Sequence, residues 1–245
     1  MNHQLSIIIP TLNEEAFIEK LLKHLLQNAS EENIKEILVV DGGSTDKTKH
    51  LVSHIIDTLL QNKTKHNNIK FLTSQKGRAK QMNMGAKHAK GSILYFLHAD
   101  SFPPKNFDKL IINEVKKGNK AGCFKMKFNS QHWWLKFAGW LTQFSWKSAR
   151  GGDQSLFVTK KLFNIIGGFN ERFVIYEDND FIFKLYQQKQ FVVIQKWLTT
   201  SARRYNKTGI WRLQYHYLNI HLKKWLGASA ETLNNYYLKH VAVKK

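Results

Sequence analysis

With 245 residues, 42% of them hydrophobic, 13% aromatic and only three prolines, the chain has the composition of a folded protein, which excludes global disorder and leaves room for one large domain or a domain with an appendage. The formal net charge of +20, from 38 Lys and Arg against 18 Asp and Glu, points to nucleic acid, an acidic membrane surface or a phosphorylated substrate, unless it reflects only a lysine-rich composition. The single cysteine, Cys123, excludes an internal disulfide framework; with no apolar run near the roughly 20 residues of a membrane span and no secretion signal, a cytoplasmic location is expected.

The run LSIIIP stops at Pro10 and predicts a strand over 5–9. Residues 16–27 carry Phe17, Ile18, Leu21, Leu22, Leu25 and Leu26 at helical spacing, with Asn13 as the expected cap and Glu14 and Glu15 favourable in the first turn. IKEILVV is a second strand, ending at the turn-forming Asp41-Gly42-Gly43-Ser44-Thr45-Asp46. A helix over 47–60 follows, for which Asp46 is the favoured cap. IKFLT predicts a third strand, 79–89 a helix and SILYFL a fourth strand. This alternation implies a parallel, doubly wound sheet with both faces covered. Ligands bind such sheets beyond the carboxyl ends of the strands. The segment 11–14, Asp41 and Asp100 all sit where a strand pattern stops, so one edge of the sheet is expected to form a crevice.

Beyond Pro104 the pattern changes. AGCFKMKF alternates and predicts a strand, and 131–150 is dense in tryptophan. GDQSLFV suggests a short strand, 160–166 a short helix, and YEDNDF the start of another helix; 191–205 reads as extended. In the tail, 207–240, Trp211, Tyr215, Leu218, Leu222 and Trp225 share one helical face. Trp133, Phe137, Trp140 and Phe144 also share a face. Core packing is the expectation for them, with membrane contact through 131–150 as the second reading and sugar stacking as a third.

SIIIPTLNEE, VVDGGSTDKT, KGRAKQMNMGAKHAKG, YFLHADS, GGDQSLFV and YEDNDF occur in that order. Together they resemble a family 2 glycosyltransferase over roughly residues 4–240. The pairing of HAD with GDQ and a later TSARRY resembles a subgroup labelled as arsenosugar-biosynthesis glycosyltransferases. The resemblance implies an α/β GT-A (nucleotide-diphospho-sugar transferase) fold: a mostly parallel central sheet, flanking helices and a C-terminal helical extension. It divides the chain into 1–205, with a nucleotide-binding half (1–104) and an acceptor half (105–205), and an extension over 206–245. It further implies a nucleotide-diphosphate sugar donor, with uridine as the best guess at the base, a divalent cation (Mg2+ or Mn2+), transfer with inversion and a hydroxyl acceptor. A lipid-linked acceptor would put the protein at the inner face of the membrane.

Residue roles follow from the chemistry and this resemblance. Asp100 is the expected metal ligand, because a cation there can mask charge on a departing diphosphate. The family's usual Asp-x-Asp is His98-Ala99-Asp100 here, so the chain supplies one acid fewer. His98 is then a ribose or metal-water contact, or a structural histidine. Thr11, Leu12, Asn13, Glu14 and Asp41 fall in the nucleotide-sugar site, as does Ala99. Lys76 and Arg78, beside a glycine at a helix start, suit a diphosphate. Asp178 of the Glu177-Asp178 pair is the expected general base, adjacent acids raising one another's pKa. Asp153 is its rival or positions the acceptor. Arg203 and Arg204 are expected to close over the diphosphate, or else form a surface basic pair. A non-catalytic basic module for RNA or an anionic membrane is the alternative, although no nucleic-acid motif is present and none is expected as partner.

Overall fold

The apolar runs of the first half form strands because their side chains are buried on both faces, except at the edge of the sheet. In the computed structural model, which describes residues 3–61 and 68–242, these are β1 (Leu5–Thr11), β2 (Ile34–Asp41), β3 (Ile69–Thr73) and β4 (Ile93–Phe96). Residues 1–2, 62–67 and 243–245, the last of them the end of the expected extension, lie outside the described part. Successive side chains go to opposite faces. Leu5, Ile7 and Ile9 pack with α1 (Ile18–Asn28), α2 (Thr48–Gln61) and α4 (Phe107–Lys116). Ile8, Leu38 and Val40 pack with α3 (Arg78–His88), α6 (Lys160–Ile166) and α7 (Glu177–Gln187).

The second half supplies β5 (Ser101–Phe102), β6 (Ala121–Phe128), β7 (Leu156–Thr159) and β8 (Phe191–Thr200). One sheet results, in the order β3-β2-β1-β4-β7-β6-β8-β5. β7 is antiparallel to β4 and β6, and β5 to β8; the other pairs are parallel. The β5–β8 pairing sets Ser101 opposite Thr200 and lets the Ser201 N–H donate to the Asp100 carbonyl at 3.1 Å. Two segments a hundred residues apart in sequence are thereby brought to one point.

Three expectations are corrected. Extended structure stops at Thr200, and α8 (Arg203–Thr208) begins where more strand was expected. Asn13 does not cap α1, which begins after Phe17 without a side-chain cap. It takes the left-handed conformation (φ 57°), and its Oδ1 accepts the Thr45 N–H at 2.8 Å. The aromatic face of α5 (Trp133–Leu141) is not core. The helix buries Leu135 and Gly139, and a Cβ at Gly139 would lie 2.9 Å from the Met126 carbonyl. The helix thus meets β6 through its small-residue side, leaving Trp133 63% and Trp140 48% exposed. The tail repeats the pattern. α9 (Ile210–Trp225) buries Leu213 and Ile220 against Leu233 of α10 (Ala230–His240) and Phe173, while its aromatic face turns outward.

Gly122 fixes how closely β6 and β8 approach. A Cβ there would lie 2.3 Å from the Val192 carbonyl and 2.7 Å from the Phe157 ring. Gly122→Ala is expected to destabilise the protein by about 1–3 kcal/mol through overpacking, read from denaturant midpoints; an unchanged midpoint would show that the sheet can open at no cost.

Candidate active site

A polar cleft opens at the carboxyl end of the sheet. Three loops build it. The β4–β5 turn brings His98, Ala99 and Asp100; the turn before β7 brings Asp153; the β8–α8 junction brings Ser201, Arg203 and Arg204. Glu14 from the β1–α1 loop and Arg78 from the start of α3 complete the wall. Eight residues expected from the sequence therefore meet in one place.

Charges across the cleft are paired. Arg203 Nη2 lies 2.5 Å from Glu14 Oε1, and its Nε lies 3.2 Å from Asp100 Oδ2. These two arginines have no acid close in sequence; for Arg203 the fold supplies two. Arg204 Nη1 donates to the Tyr217 hydroxyl at 3.0 Å. Arg78 Nη1 lies 3.1 Å from Glu177 Oε1 and 3.5 Å from Asp178 Oδ2. His98 stands between two acids, its Nδ1 3.4 Å from Asp153 Oδ1 and its Nε2 3.9 Å from Asp178 Oδ2.

The carboxyls differ in setting. The Asp153 side chain is 57% exposed. Desolvation in the cleft opposes its charge, but the His98 hydrogen bond and charge, with Arg78 and Arg204, outweigh it and hold its pKa down at about 2. Asp178 is buried behind Arg78 and His98. Glu177 is buried too, and its Oε2 has no hydrogen-bond partner. Burial and then the Asp178 charge push Glu177 up to about 7, against the pull of Arg78. The upward push expected of adjacent acids is thus seen at Glu177.

The remaining expected residues lie beside the cleft and not on it. Asp41 is buried and organises its own turn: Oδ2 accepts the N–H groups of Gly43 at 3.0 Å and Ser44 at 2.8 Å, and Oδ1 accepts from Thr11 Oγ1 at 3.4 Å. The Asn13 and Ser44 loops are laced together by the Asn13 N–H donating to Ser44 Oγ at 2.8 Å. Leu12 is half-buried in that loop, and Lys76 is exposed ahead of α3. Two further residues carried no sequence signal. Gln81 Nε2 donates to the Thr11 and Val40 carbonyls at 2.7 and 2.8 Å, joining the ends of β1 and β2. A Cβ at Gly42 would meet that side chain at 3.0 Å, so Gln81 takes the space that a side chain at position 42 would need. Tyr217 reaches the cleft from α9.

Among the described residues no three His, Cys, Asp or Glu side chains form a ready-made metal cage. Asp100 and Glu14 are nonetheless hard oxygen donors on one wall, and Glu14 Oε2 is buried without a hydrogen-bond partner. This set fits a Mg2+ or Mn2+ that takes its other ligands from water and a bound phosphate.

Glu177 makes stability depend on pH. Its pKa is raised by folding from 4.5 to about 7. The associated stabilisation is complete below 4.5, declines as pH rises and is gone above about 7. Wild type should lose up to about 3 kcal/mol over that interval relative to Glu177→Gln, read by urea titration at several pH values. Parallel curves for the two proteins would rule the raised pKa out.

Comparison with known proteins gives a family and a fold. The model of glycosyl transferase family 2 matches residues 6–178. A Methanococcus voltae protein, dolichyl N-acetyl-alpha-D-glucosaminyl phosphate 3-beta-D-2,3-diacetamido-2,3-dideoxy-beta-D-glucuronosyltransferase, is 37% identical over 117 residues, 47% of this chain and 35% of that protein. The first curated relatives are thus matched over little more than a third of their length. Mannosyltransferase PcManGT from Pyrobaculum calidifontis, solved with GDP-Man and Mn2+, superposes with a TM-score of 0.69 at 18% identity, covering 97% of this chain and 70% of that one. Staphylococcus aureus TarS 1–349, solved with UDP, gives 0.63 at 20% identity, covering 81% and 60%. On its sequence and its GT-A fold, the chain belongs to glycosyl transferase family 2.

Proposed function

We propose that the protein transfers a sugar, with inversion, from a nucleoside-diphosphate sugar to a hydroxyl acceptor. One observation carries the reading: the HAD, GDQ and TSARRY segments, far apart in sequence, line the same cleft. That convergence also supports the narrower likeness to the arsenosugar-type subgroup. UDP is the donor nucleotide in this reading, in line with the TarS complex. Residues 1–104 hold the donor, 105–205 the acceptor side, and 206–245 form the extension.

The chemistry follows from what faces the cleft and from the acids just behind its wall. A divalent cation, held by Asp100 with Glu14 beside it, would supply Lewis-acid neutralisation of the diphosphate; the Mn2+ of the PcManGT complex supports this. Arg203 releases Asp100 and Glu14 when the donor arrives and, with Arg204, donates to phosphate oxygens. The acceptor oxygen forms a bond to the sugar's anomeric carbon as the bond to the diphosphate oxygen breaks. Asp178 takes the acceptor's proton. Arg78 balances the two buried acids, and Asp153, exposed and held ionised, orients the acceptor. The Methanococcus voltae relative is named for a dolichyl-phosphate-linked sugar, which supports a lipid-linked acceptor here and a place at the inner membrane face.

UDP with Mn2+ should raise the wild-type melting temperature by several degrees, and Asp100→Ala should lose the Mn2+-dependent part. A wild type indifferent to every nucleotide would reject the function. In transfer assays Asp178→Asn should lower kcat at least about 100-fold, as expected for a general base, and Asp153→Asn less than tenfold. The opposite ranking would move the base to Asp153.

A further inference from the structure

The two outward faces left by α5 and α9 are one surface. Trp211, in the first turn of α9, lies 6.0 Å from Trp133 and 5.3 Å from Trp134, ring centre to ring centre. From there the strip runs along α5 through Phe137 and Trp140, stacked at 6.1 Å. In the other direction Tyr215, Leu218, Leu222 and Trp225 follow at helical spacing, with Tyr215 63% and Trp225 81% exposed. So large an apolar patch on a water-facing surface calls for an occupant.

The charge says which. Residues 115–152 contain eight Lys and Arg and no Asp or Glu, and residues 181–230 contain nine and none. These two segments, which hold α5 and α9, carry 17 of the 20 net positive charges. Arg150 is buried and Arg203 and Arg204 face the cleft, but the segments that carry the strip contain no acid to oppose an anionic partner. Lys136, Lys147 and Arg212 are exposed beside its aromatics. A second copy docking through this face would set two such surfaces against each other, at an electrostatic cost. An anionic bilayer meets both needs: headgroups for the cations, and an interfacial zone where Trp and Tyr settle.

We infer that the α5–α9 strip is a docking surface for an anionic lipid bilayer. Among the described residues no helix is long and apolar enough to span a membrane. The inference deepens the proposed function and rests on it only for its purpose. Tyr217 lies on the inward side of α9 and lines the cleft, about one helix diameter, roughly 10 Å, from the strip. Docking thus brings the cleft to the level at which a lipid-borne acceptor presents its head.

The test uses the full chain, without donor or acceptor, in flotation with vesicles of phosphatidylcholine alone or with about 30 mol% phosphatidylglycerol, whose negative surface potential attracts basic segments. Binding is expected to the anionic vesicles, at least tenfold weaker to the neutral ones, and weakened by high salt. The double variant Trp211→Ser, Leu218→Ser and the charge variant Lys136→Glu, Arg212→Glu should each lose it tenfold or more. Both should keep the wild-type circular dichroism and the UDP-dependent thermal shift, so that a failure here is separable from a failure of the enzymatic reading. No binding to anionic vesicles, or binding unaffected by both variants, would overturn the inference. So would a wild-type dimer that the Trp211, Leu218 variant converts to monomer, since a second copy would then own the surface.

Discussion

A single guanidinium set between two acids joins the halves of this chain. Arg78 begins α3 in the first half, and Glu177 and Asp178 begin α7 in the second. Both acids are buried, and a buried carboxylate is tolerated only with a partner. His98 extends the contact to Asp153, so four segments are held in one network of charge. The geometry of the cleft depends on it, because the walls that carry Arg78, His98 and Asp153 are anchored to one another through these groups. The sheet places the loops, but the ion pairs fix their side chains.

The part of the fold legible in the sequence is the part where burial is two-sided or periodic. The four strands of the first half announce themselves as apolar runs closed by Pro10, Asp41 and their like. Asp46 was recognisable as a cap, and its Oδ1 does accept the Thr48 N–H at 2.9 Å. Helical spacing shows which residues share a face, but not which face meets the sheet. In α5 the pair Leu135 and Gly139 allows a closer approach to β6 than any tryptophan would, so the small face won. The same holds for Leu213 and Ile220 in α9.

The site was legible wherever a strand end met a charged residue, as at Asp100. It was not legible where the partner came from far along the chain. Nothing near Arg203 in sequence indicates Glu14 or Asp100; the β5–β8 pairing creates that contact. Gln81 and Tyr217 are polar residues within helices, and only the approach of α3 to the strand ends and of α9 to the cleft gives them work. Asn13 could not be read as left-handed, because its conformation is set by the neighbouring loop whose Thr45 N–H it accepts.

Arg203 lies against Asp100 and Glu14, so the resting cleft holds its own counter-ion. If a metal ion and a phosphate bind here as proposed, a metal ion alone would have to displace that guanidinium, and a phosphate alone would have to draw it from its acids. Either newcomer alone would leave one set of charges bare. Arriving as a neutralised couple, the two would restore the balance they disturb, with the arginine changing sides. Selectivity against free ions would then be a property of exchange symmetry, built in before any sugar is recognised.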